Sequence, residues 1–97
     1  MGKPLENAAI HEALASLKGW GYEDGKLLKV RDLKDFSEAL DFINKVGAIA
    51  EKQNHHPEII NNYRRVTLKL STHDAGGKIT EKDLTLARAI QLLCSND

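Results

Sequence analysis

The 97-residue chain has room for one domain around one hydrophobic core, and its 41% apolar content is ordinary for a globular protein. Fourteen basic and fourteen acidic residues cancel and are interspersed along the chain, so no basic stripe exists to neutralise several phosphates, which argues against direct nucleic-acid binding. The single cysteine, Cys94, cannot close an internal disulfide, and neither a signal pattern nor a bilayer-length apolar run is present, so a cytoplasmic location away from membranes is expected.

From Leu5 to Leu17 the segment LENAAIHEALASL sets Ile10, Leu14 and Leu17 on one helical face, with Gly19 following where a helix C-terminus favours glycine. This predicts the first helix. WGYEDGKLLKV then reads as two short strands around Asp24-Gly25, a dipeptide suited to a two-residue hairpin turn. Asp35, with Glu38 three positions on, predicts the capped start of a second helix. Along it Phe36, Leu40, Ile43, Val46 and Ala50 recur at helical steps and are expected to form its core stripe. Pro57 disfavours helical geometry at the residue before it, which leaves His55 and His56 at a transition between elements.

EIINNY and RVTLKLST read as two further strands, and in the second Val66, Leu68 and Leu70 alternate with Thr67, Lys69 and Ser71. That alternation predicts a sheet with one apolar and one polar face. The glycine-rich loop HDAGGKI leads to Thr80, a cap for the last helix, with Asp83 favouring its positive end and Leu84, Ala87, Ile90 and Cys94 or Leu93 forming its apolar face. The expected architecture is a single α+β domain over residues 1–97: a four-stranded antiparallel sheet covered on one face by three helices, in the order α-β-β-α-β-β-α.

Three of the four histidines, His55, His56 and His73, lie at element boundaries, whereas His11 falls within a helix and is expected at the surface. Strand parity groups His73 with Thr67, Lys69 and Ser71, away from the core face and open to a ligand. Imidazole titrates near neutral pH, so one histidine can donate a proton while a neighbour accepts one. Glu51, four residues before His55, is placed to orient an imidazole. Glu51, His55, His56 and His73 are also legitimate metal ligands, but the chain has no HExxH or paired CxxC spacing, and adjacent histidines seldom face one ion. The loop from His73 to Gly77 is read as a strand-to-helix connection rather than a phosphate cradle, and Cys94 as a small apolar contact.

Taken together, EKQNHHP, then Tyr63, LSTHDAGG and the TEKD ending in Asp83 resemble the signature of the pterin-4a-carbinolamine dehydratase family. The likeness extends over nearly the whole chain, including Gly19-Trp20 and the second helix. Three departures stand out. Asn54 replaces an acid, Ile59 replaces a tryptophan, and the glycine loop is one residue longer before Asp83.

The resemblance implies three helices against a four-stranded antiparallel sheet. It further implies an enzyme that removes water from 4a-hydroxytetrahydropterin, the pterin left by aromatic amino acid hydroxylases, without metal or cofactor. By this resemblance His55, His56 and His73 are the catalytic residues, with His56 and His73 the expected proton-transfer pair and His55 positioning the hydroxyl. Glu51, Asn54, His55, His56, Pro57, Ser71, Thr72, His73 and Asp74 are expected to border the pterin. A homodimer or homotetramer is implied as well. Animal relatives also serve as dimerisation cofactors of a homeodomain transcription factor, so a non-catalytic binding module or accessory factor is the alternative reading.

Overall fold

In the computed structural model, which describes residues 3–94, the elements are α1 (Asn7–Leu14), β1 (Trp20–Glu23), β2 (Lys26–Asp32), α2 (Phe36–Gln53), β3 (Glu58–Asn62), β4 (Arg65–Leu70), a 3-10 turn at His73–Ala75, and α3 (Glu81–Leu93). The strands form one antiparallel sheet in the order β1-β2-β4-β3. The expected α+β order is therefore present. Asp24 and Gly25 both take positive φ, 53° and 75°, as a two-residue turn matched to the twist of its strands requires.

Leu27 on β2 and Val66, Leu68 and Leu70 on β4 point to the helix side, where they meet Ile10 of α1, Phe42 and Val46 of α2, and Leu84, Ala87 and Ile90 of α3. The opposite face carries Val30, Thr67 and Ile60 in one cross-strand row, with Asp32 and Arg65 paired beside it at 2.9 Å. Alternation along β4 thus separates a core face from an uncovered one, as its sequence predicts.

Two helix expectations need correction. α1 is shorter than Leu5–Leu17: the Leu5 N–H is committed to the Ile79 carbonyl at 2.8 Å, and after Leu14 the chain tightens into turns bonded to the third residue back, such as Leu17 N–H to Leu14 O. Leu17 still reaches the core from that turn. In α2 the buried residues are Ala39, Phe42, Val46 and Ala50, while Phe36 and Leu40 remain 46% and 42% exposed. The apolar arc of α2 is wider than the sheet can cover, and the expected stripe ran diagonally from its outer edge to its buried centre. Among the described residues no helix is long and apolar enough to cross a membrane.

Candidate active site

The site is assembled where α2 ends, β4 ends and α3 begins. Asp35 starts α2 by accepting the Glu38 N–H at 2.8 Å, and after eighteen helical residues the helix stops at Asn54 in the left-handed conformation, φ 52° and ψ 43°. Asparagine tolerates that geometry better than most side chains. The His55 N–H then closes back on the Ala50 carbonyl at 3.0 Å. This reversal turns His55 and His56 in different directions.

His55 goes inward. Its side chain is 11% exposed, and Nε2 lies 2.6 Å from Oδ1 of Asp83, which is completely buried. Asp83 is also the partner of the α3 cap: its Oδ2 accepts the Thr80 N–H at 2.9 Å and the Thr72 hydroxyl at 2.7 Å. The Thr72 proton being used there, Thr80 donates to Thr72 Oγ1 at 2.7 Å while accepting the Lys82 N–H at 3.2 Å. Hydrogen-bond counting therefore gives Asp83 an accepting role throughout, makes His55 the Nε2–H donor, and leaves Nδ1 as the free ring nitrogen. A carboxylate holding one imidazole nitrogen fixes ring orientation and tautomer, as in catalytic triads.

His56 goes outward, its Nε2 2.5 Å from Glu51 Oε2, with both side chains well exposed. Glu51 was expected to face His55 at helical spacing. The left-handed residue at Asn54 carries His56 back over it instead. His73 is exposed, but not by strand parity: β4 ends at Leu70, Thr72 bridges to Lys78, and His73 opens the 3-10 turn that follows. Gly76 and Gly77, at φ 73° and 78°, let the loop return so that the Gly77 N–H reaches the Thr72 carbonyl at 3.0 Å.

A pocket of about 250 Å³ is lined by Asn54, His55 and His56 from one side, Ser71, Thr72, His73 and Asp74 from another, and Lys82 from the first turn of α3. Seven of the nine residues expected to border a ligand meet there. Glu51 and Pro57 line a neighbouring groove of about 480 Å³ between α2 and β3, which shares His56 with the pocket. Among the described residues, no three His, Cys, Asp or Glu side chains are gathered in a way that would hold a metal ion. The arrangement offers several imidazoles beside hydroxyl and amide groups, suited to moving protons on a small polar ligand.

Sequence reasoning missed two roles. Asp83 was read as a helix-end charge, and only the packing of α2 against α3 reveals that it also anchors His55. Lys82 had no signal beyond its place beside Asp83 at the start of α3.

Residues 3–93 match the family described as pterin 4 alpha carbinolamine dehydratase. The chain is 47% identical over 87 residues to a protein of Opitutus terrae, covering 90% of each. It is 43% identical over 86 residues to one of Sulfolobus acidocaldarius, covering 89% of this chain and 93% of that one. Both relatives carry the name of pterin-4-alpha-carbinolamine dehydratase. The fold is similar to the crystal structure of the transcriptional coactivator/pterin dehydratase from Brucella melitensis, with a TM-score of 0.86 and 37% identity over 93% of this chain and 97% of that one. With a match across almost its whole length and relatives of 43–47% identity, the chain belongs to the pterin-4a-carbinolamine dehydratase family.

Proposed function

We propose that this chain dehydrates 4a-hydroxytetrahydropterin to quinonoid dihydropterin by histidine acid–base catalysis. Family membership supports the reaction, and the observation that carries the site is the convergence of His55, His56 and His73 on one pocket. In the reaction the C4a–O bond breaks as the hydroxyl takes a proton and leaves as water. The N5–H bond gives up its proton to a base, and its electron pair forms the C4a=N5 double bond. One imidazolium and one neutral imidazole suffice, and they exchange protonation states in each turnover. A positioned acid or base of this kind is worth about 10²–10⁴-fold.

His56 and His73, both exposed at the pocket, are the proposed proton-transfer pair. His55, with Nε2 held by Asp83, presents Nδ1 to the C4a hydroxyl. Glu51 supports His56 through their contact, and Asn54, Ser71, Thr72 and Asp74 supply polar groups for the pterin edge, with Pro57 fixing the chain after the histidines. The reaction places the protein after an aromatic amino acid hydroxylase, in tetrahydrobiopterin recycling. We also propose self-association through the outer face of α2, where Phe36 and Leu40 stand uncovered within one protomer. The enzymatic reading is tested by following the ultraviolet decay of freshly generated 4a-hydroxytetrahydropterin with and without the protein, and by repeating it with chelator present.

A further inference from the structure

A polar groove lies away from the histidines, between the first half of α2, the end of β2 and the end of α3. Its volume of about 320 Å³ is within the ~300–1,000 Å³ typical of small-molecule sites. It shares no lining residue with the histidine pocket, and about 13 Å of helix, at ~1.5 Å per residue, separates Lys45 from Asn54. The floor is apolar: Leu33 and Phe42 are buried and Leu93 is half-buried. The walls carry two acids and two bases. Glu38, Asp41 and Lys45 follow one another along one face of α2, and Arg31 comes from β2 with its guanidinium 4.7 Å from the centre of the Phe42 ring. That contact holds a cation at the groove through its flat face, which uses none of its N–H donors. Asp41 and Lys45 have the four-residue spacing at which a helix pairs opposite charges, yet neither makes an ion pair with a described residue. Glu38 accepts the Lys34 N–H with one oxygen at 3.1 Å, which leaves the other to face the groove's contents. The wall charges cancel, with the acids at 38 and 41 and the bases at 45 and on the Phe42 ring. A lone anion leaves the acids unmatched and a lone cation leaves the bases unmatched, whereas a dipolar ion meets both.

We propose that this groove binds a free α-amino acid with an aliphatic side chain, its carboxylate toward Lys45 and Arg31, its ammonium toward Glu38 and Asp41, and its side chain on Leu33 and Leu93. The inference is independent of the dehydratase reading, since no residue of the histidine pocket takes part. Amide chemical shifts of the isotope-labelled, folded chain test it by titration with L-leucine and with two probes that each lack one charge, N-acetyl-L-leucine and L-leucinamide. The titrations are run at about pH 6.5, where α-amines are protonated. The wall charges are exposed and each pair is weak, so the expected Kd for L-leucine is about 1 mM. Its shifts should centre on Arg31, Leu33, Phe42 and Lys45 and spare His55 and His73. Each single-charge probe should bind about 2- to 5-fold more weakly than L-leucine. Lys45→Glu, at an exposed helix position, should move the ratio of the two probes towards L-leucinamide by about threefold or more, and Asp41→Asn, also exposed, should move it towards N-acetyl-L-leucine. No shifts at the groove well above the expected Kd, equal binding of all three compounds, or a probe ratio that neither variant moves would overturn the site.

Discussion

Replacing Asp83 by Asn changes the charge that holds His55 while keeping the shape. The Asn oxygen can still serve Thr72 and Thr80, which turns its amide N–H₂ toward His55 Nε2 and demands the opposite imidazole tautomer. Asp83→Asn should therefore cost about 10- to 100-fold in kcat and alter the pH–rate profile. Loss of a charged hydrogen bond should also lower stability by about 1.5–3 kcal/mol. A lower melting temperature with an unchanged pH profile would reduce Asp83 to a helix cap. His73 makes the complementary case. It is exposed on a 3-10 turn, so His73→Ala should change stability by less than about 0.5 kcal/mol while most of the turnover disappears. A folded His73→Ala protein with wild-type kcat would take His73 out of the proton-transfer pair.

At the scale of the element, the left-handed Asn54 decides where both adjacent histidines point. Asn54→Gly keeps the backbone conformation accessible, whereas Asn54→Ala should cost about 1–2 kcal/mol and blur the reversal. If Asn54 also contacts the pterin through its amide, the Gly variant will be stable but raised in KM; wild-type kinetics in that variant would confine Asn54 to the backbone role. On the uncovered face of the sheet, the hydrogen bond from Arg65 holds the Asp32 carboxyl below the usual carboxylate range. A carboxyl whose folded pKa is depressed contributes stability above its unfolded value, 3.8, and loses it as pH falls through the folded value. Asp32→Asn should thus melt slightly below wild type at neutral pH, with the gap closing under strongly acidic conditions; a gap that persists there would point to packing instead of charge. Most elements were legible because periodicity, caps and the Asp24-Gly25 turn agree with one another. The late start of α1 and the route to His73 were not legible, since they depend on contacts with the distant Ile79 and Lys78, and the rotation of α2 was not, since it depends on which part of its wide apolar arc the core covers.

For the whole molecule, one sheet face and three helices close a core that joins α2 to α3, and the site sits over that junction. The histidines and the loop of Ser71–Asp74 were visible in the sequence as separated motifs, and the fold brings them to one pocket. Phe36 and Leu40 do not belong to that core. If they mediate self-association, Leu40→Glu should shift the sedimenting species towards monomer while leaving secondary structure intact; an unchanged oligomer would move the interface elsewhere, and a wild-type monomer would remove it.

The most direct measurement is stopped-flow absorbance of freshly generated 4a-hydroxytetrahydropterin decaying in the presence of the folded wild-type chain. Faster decay that survives chelator and is lost in His73→Ala is the predicted result. Decay at the spontaneous rate with folded wild-type protein would contradict the dehydratase account.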